Sequence, residues 1–290
     1  MQFDFFNDNQ SVVLRNDVIL ALEKCDASTA RRAWETLTRY DPHDVTAVPL
    51  LLLIVHLFEN TSTPFESHAD LRAASLELQS KITPAALAGM GIATANGWLN
   101  TRWLALAARA AALPYQSRHP DEHAAPLWLQ TRQWQAAADA VAQIESWRRI
   151  PAPLSWMLHA RLQLQGLQAN WGLLAELAWL APQRLERVVQ QTAEPILQTL
   201  VRTFEECFEG AGEPDDLAWF PAWVLTERPA LAPALTQAQA SQHTKPEQAM
   251  RLMIELLGLE RQGRQREVLE HRKTLRGLNR ALYAAYMATR

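Results

Sequence analysis

The sequence is poor in glycine, in cysteine, in strand patterning and in charge of one sign. Only 10 of the 290 residues are Gly, well under the ordinary share of ~7 %. Long alternating runs of Val, Ile and Thr are missing, which removes the main support for strands. The two cysteines, Cys25 and Cys207, stand far apart and in no metal-like spacing. They read as free thiols of a reducing compartment. Lys and Arg number 28 against 31 Asp and Glu, a net charge of −3. That balance gives no general attraction to nucleic acid or to an anionic membrane. The greasiest run, Val45 to Phe58, is 14 residues long and contains His56. It is too short to cross a bilayer and is expected to form a buried core helix. The first residues, Met-Gln-Phe-Asp-Phe-Phe, have no basic stretch and no cleavage site, unlike a signal peptide. A cytoplasmic location is expected.

Reaction chemistry is also unmarked. The sequence has no HExxH, GxSxG or Walker-type loop. Gly89-Met-Gly91 lacks the third glycine of a dinucleotide loop and follows no strand. His119-Pro-Asp-Glu-His123 has no further His or Cys at ligand spacing. Asp121 and Glu122 precede an apolar stretch, where acids cap a helix. Glu205, Glu206 and Glu209 have no Glu-x-x-His partner of the kind a carboxylate-bridged metal site needs. No catalytic, cofactor or metal residue is assigned.

What is abundant is helix. Ala, Leu, Gln, Glu and Arg dominate, and 48 % of the chain is hydrophobic. Ser11 to Lys24 reads as one helix, and a second follows a short turn with Ser28 as its cap. Ala30, Ala33, Trp34 and Leu37 recur at i, i+3, i+4 and i+7, one face of a helix that ends at Asp41-Pro42. Together they form an αα-hairpin. Residues 44–59 and 66–82 read as helices, and Thr83-Pro84 as the capped start of another. The small residues Ala85, Ala86, Ala88, Gly89, Gly91, Ala93 and Ala95 offer a face on which two backbones can approach closely. Pro114 to Pro126 is a polar loop. Pro42, Pro114, Pro151 and Pro182 then punctuate the chain at spacings compatible with a repeat in the mid-thirties. Glu209 to Asp216 is the strongest breaker cluster and the expected domain boundary. Leu217 to Leu225 and a Pro-rich passage to Pro233 follow, with a loop around Ser241 to Pro246. Glu247 to Leu259 and Glu267 to Ala288 read as the last two helices.

Ala30, Trp34, Leu37 and Pro42 have the spacing of the second helix of a tetratricopeptide repeat, which this stretch resembles. Trp134, Ala137, Val141 and Ile144 keep the same register, and Asn170, Leu174, Leu177 and Pro182 keep the spacing without the small residue. No unit carries the first-helix signature. The resemblance covers 11–42 and 98–182. It implies a helical-hairpin solenoid; with the helical composition and the breaker cluster, the expected fold is an all-α, irregular right-handed α-solenoid of antiparallel helix pairs over residues 1–210, with a helical region over 217–290 that forms a cap or a small subdomain. Such solenoids are often protein-binding scaffolds, and a non-catalytic adaptor with another protein as its partner is the leading expectation. One alternative is an enzyme with a pocket between helices, which would need at least two titratable groups in one cleft.

Two features suggest surfaces. Eight of the 11 tryptophans lie between Trp98 and Trp179. They are either an aromatic groove or core wedges, with Trp103, Trp134 and Trp171 each opening a second helix. Residues 261–290 hold eight Arg and Lys against two Glu, whereas 203–217 hold six acids and no base. Val268, Leu275, Leu278, Leu282, Ala285 and Tyr286 form a nearly heptad stripe. Arg264, Arg266, Arg272, Lys273, Arg276 and Arg280 decorate the rest and are the candidate partner-binding residues. They fit a basic helix for an acidic partner or nucleic acid, a homodimer seam, or a cap with a polar outer face. The basic tail could equally meet the acidic segment within the molecule.

Overall fold

The computed structural model describes residues 4–59, 62–210, 214–239 and 244–290, with side chains of 4–9 and 214 not considered. Glu213, Ser241 and the first three residues lie outside this set. All regular structure among the described residues is helical. No helix among them is long and apolar enough to cross a membrane. The chain divides into two compact units at Arg132 and Gln133. Glu209, Gly210 and Pro214 to Asp216 lie inside the second unit.

The first unit holds α1 (Asp4–Glu23), α2 (Ala27–Tyr40), α3 (Ala47–Glu59), α4 (His68–Glu77), α5 (Thr83–Met90), α6 (Ile92–Ala110) and α7 (Ala124–Gln130). Helices α1 and α2 pair closely, and α2 then meets α3, α3 meets α5, α5 meets α6 and α6 meets α7. The α1–α2 turn uses Cys25 in the left-handed region, at φ 55°. Asp26, not Ser28, caps α2 by accepting from Thr29 N at 2.9 Å, since Ser28 already lies in the first turn. Ala30 and Leu37 are buried as the 3.6-residue pattern requires. Thr83 caps nothing: a π-helical turn at Leu78–Ile82 joins α4 to α5, and the Thr83 hydroxyl donates to Leu78 O at 2.8 Å. The small-residue face does bring backbones together. A Cβ on Gly89 would lie 3.1 Å from Leu50 Cδ2, so α5 sits close on α3 and the Leu50 side chain would have to give by a few tenths of an ångström.

The second unit holds α8 (Trp134–Ala142), α9 (Pro151–Gln165), α10 (Trp171–Leu180), α11 (Pro182–Gln191), α12 (Pro195–Cys207), α13 (Phe220–Glu227), α14 (Ala232–Leu235), α15 (Lys245–Arg261), α16 (Gln265–Leu278) and α17 (Arg280–Ala288). Pro151, Pro182 and Pro195 each open a helix, where a missing N–H costs nothing, so Pro151 and Pro182 are starters and not only terminators. Helices α8 to α12 follow one another as neighbours, but α13 touches α10, α12, α15 and α17 and forms the hub. Phe220 to Thr226 are all buried. Phe220 stacks on Trp171 at 6.4 Å, and Trp223 meets Phe204 edge-on at 5.4 Å. Each such ring adds on the order of 1 kcal/mol beyond its buried area.

The tryptophans of 98–179 are all buried or half-buried, as wedges would be. Trp134 and Trp171 open α8 and α10, whereas Trp103 sits in the middle of α6. The expected last helix is two helices. Asn279 leaves the helical conformation and caps α17 by accepting from Leu282 N at 2.9 Å.

Candidate functional site

Helix α3 is apolar all round except for His56 and Glu59. Such a helix ordinarily sits inside a core. Here one side does: Leu50, Leu53 and Ile54 are fully buried, each contributing roughly 1.5–3 kcal/mol. The opposite side does not. Val48 is 78 % exposed and Phe58 58 %, whereas Leu52 and Val55 are 39 % and 37 % exposed. Val48, Leu52 and Val55 stand at i, i+4 and i+7, one stripe along the helix. Val45, just before the helix, is also exposed. The expectation of a buried core helix over Val45 to Phe58 therefore holds for one face only.

The helix is held rigidly at its start. Asp44 accepts from Thr46 N at 2.7 Å and from Arg15 Nη2 at 2.8 Å, tying α1 to the head of α3. Burial pushes the Asp44 carboxyl up, but the bonds from Thr46 and Arg15 outweigh it and hold it below the usual range. Trp34 Nε1 donates to Ala47 O at 2.7 Å. Exposed apolar residues of the second unit are scattered: Leu164, Ile196, Leu269 and Met287 lie on four different helices. In the first unit α1 exposes Val12, Val13 and Leu20, and α3 exposes Val48, Leu52, Val55 and Phe58.

Beside α3 lies a recess of about 90 Å³, lined by His56, Glu59, Glu77, Arg102 and Arg109 with Ala74, Leu78 and Leu106. This is the convergence of titratable groups that a pocket enzyme would need. Burial keeps the His56 imidazole below its usual pKa, against a pull upward from Glu77 and Glu59. No hydrogen bond joins His56 to another lining residue among those described, so no nucleophile–base pair is formed there. A wider groove of about 510 Å³ between α1 and α2 is lined by Asp17, Lys24, Asp26 and Arg32 and is open to solvent.

The basic C-terminal residues do not form one free face. Arg272 turns inward, donating to Tyr286 Oη at 3.0 Å and to Glu260 at 3.1 Å. Arg264 pairs with Glu267, and Lys273 with Glu270 at 2.9 Å. Arg266, Arg276 and Arg280 are exposed and join no ion pair among the described residues. Of the apolar stripe, Val268, Leu275, Leu282 and Tyr286 are buried, and Leu278 and Ala285 are half-buried. In the acidic 203–217 segment Arg202 faces Glu206, and Gln183 donates to Asp215.

At His119–His123 neither Asp121 nor Glu122 is the cap of α7. Glu122 pairs with Arg72 at 2.5 Å, and His123 caps α7 by accepting from Ala125 N at 3.1 Å. Burial and the nearby His68 push His123 down to about 4, which suits the neutral acceptor this cap requires. No group of His, Cys, Asp and Glu among the described residues could hold a metal ion. The α3 stripe was visible in sequence as a short helix with no polar side, and Arg102 as a lone charge in an apolar run. Neither signal told which side would be covered. No protein-family model, curated protein or solved structure matches the chain.

Proposed function

We propose that the chain is a non-catalytic adaptor, a tetratricopeptide-like array of antiparallel helix pairs, that binds an aliphatic helix of another protein along the outward face of α3. The observation that carries this reading is the uncovered stripe Val48, Leu52 and Val55 on a helix whose other side is core. Between Asp44 and Glu59 the only ionisable side chain is His56, which burial keeps neutral. The stripe itself offers nothing ionic to a partner until the exposed Glu59 at its C-terminal end, and it rewards aliphatic area. Contiguous apolar exposure of this kind marks interaction surfaces on folded chains. The paired helices α1 and α2, with Trp34 wedged against α3, support the array reading in the first unit.

The test uses a synthetic amphipathic helix with Leu at i, i+4 and i+7 and neutral residues elsewhere, titrated by fluorescence anisotropy. Val48→Glu and Val55→Glu together should weaken its binding by at least tenfold, since each buries a charge against an apolar partner. Leu164→Glu in the second unit should leave it unchanged. Equal binding by all three proteins refutes the α3 assignment, and a concentration-dependent dimer that the double variant abolishes would make a second copy the occupant instead.

A further inference from the structure

We propose that the recess between α3, α4 and α6 binds a small zwitterion, a free amino acid or close analogue. Arg102 lies at its back, only 8 % exposed. Its guanidinium is fixed from two directions. One Nη donates to Cys25 Sγ at 3.0 Å, and the group lies over the Trp98 ring at 5.4 Å. Its Nε, buried, has no acceptor among the described residues. A buried donor left unpaired is costly, and such groups commonly mark a place where a partner is expected. Arg109 stands nearer the rim, donating to Thr63 O at 2.8 Å and lying 4.0 Å over the Phe65 ring.

Facing these two cations are two carboxylates, Glu59 and Glu77. Opposite charges sharing a recess normally close on one another. Here no ion pair among the described residues joins Arg102 or Arg109 to Glu59 or Glu77. With His56 neutral, the lining carries two positive and two negative charges, held apart. That pattern selects the ligand by elimination. A simple anion would meet both carboxylates, and a simple cation would meet the buried guanidinium. The groups present form no metal site. A molecule with a carboxylate at one end and an ammonium at the other satisfies both, the carboxylate on Arg102 and the ammonium between Glu77 and Glu59. The volume, about 90 Å³, is several times the roughly 10–15 Å³ that one water needs on the same measure. It accommodates the charged backbone of an amino acid, with a side chain directed past the exposed Glu59 to solvent. Ala74, Leu78 and Leu106 supply the apolar wall.

The recess shares α3 with the stripe, Glu59 lying one turn beyond Val55, and its test uses variants that leave Val48, Leu52 and Val55 unchanged. Thermal unfolding of the full chain is followed with each of the twenty standard L-amino acids at about 10 mM, and with sodium acetate and methylammonium chloride at the same level. Calorimetric titration follows for any that raise Tm. At least one amino acid should raise Tm while acetate and methylammonium do not. Glu77→Gln, half-buried and isosteric, should keep the unliganded Tm and raise the amino acid Kd by roughly tenfold or more. Arg102→Gln should abolish binding. If it does not fold, Glu77→Gln decides alone. No shift with any of the twenty, an equal shift with acetate, or unchanged affinity in Glu77→Gln overturns the proposal.

Discussion

Trp34 donates its indole N–H to the Ala47 carbonyl at 2.7 Å and fastens the middle of α2 to the first residue of α3. The contact spans a loop that contains Asp41-Pro42, so it fixes the angle at which α3 leaves the first helix pair. Trp34→Phe keeps most of the ring area and removes the donor. It is expected to cost about 1 kcal/mol in urea unfolding, and to lower the peptide affinity of the α3 face more than stability alone would. An unchanged midpoint would show that the bond does not position α3.

Asp44 ties the same junction by charge. Its folded pKa is depressed, so its contribution is fully present above the ordinary carboxylate value of about 3.9. It is lost as pH falls through the folded value. Asp44→Asn should destabilise by about 1–3 kcal/mol at pH 7, because Arg15 loses its buried partner. The gap between variant and wild type should narrow as pH falls below the ordinary carboxylate value and close once it has passed below the depressed folded value. A gap independent of pH would mean the carboxylate charge is not what holds the loop.

The two sides of α3 make a paired prediction. Leu53 is fully buried and Leu52, its neighbour, is exposed. Leu53→Ala should cost about 2–5 kcal/mol, whereas Leu52→Ala, at 39 % exposure, should cost at most about half as much. Chemical denaturation of the two variants separates them, and similar losses would mean α3 is covered on both sides.

At the other end, Tyr286 is fully buried and its hydroxyl donates to Glu260, which also accepts from Arg272 and, at 3.0 Å, from Arg290. Tyr286→Phe should cost about 1 kcal/mol, since Arg272 and Glu260 remain paired. Arg272→Ala should cost more than Arg276→Ala or Arg280→Ala, whose side chains are exposed. Equal effects in the three Arg variants, read by thermal melting, would show that Arg272 is as free as the others.

Much of the helical content could be read from periodicity, and α2, α3 and α10 fall close to where Leu and Ala spacing and the flanking prolines put them. What could not be read was choice among equivalent signals. Asp26 and Ser28 are both good caps, and only the left-handed turn at Cys25 selects the first. Asn279 breaks a run that is otherwise good helix because its side chain can cap α17. The basic residues of 264–280 look alike in sequence. They differ because Arg272 alone faces Glu260 and Tyr286 across a helix pair. The α3 stripe and the Arg102 recess depend on what packs over a helix, which is long-range information that local pattern does not carry.

The most direct test places a photo-crosslinking side chain at Leu52 and, as a control, at Leu164 in the full chain expressed in its own cells. The account predicts a discrete adduct with another protein from position 52, absent from position 164 and lost when Val48→Glu and Val55→Glu are added. Adducts that are the same from both positions, or that survive those two charges, would contradict it.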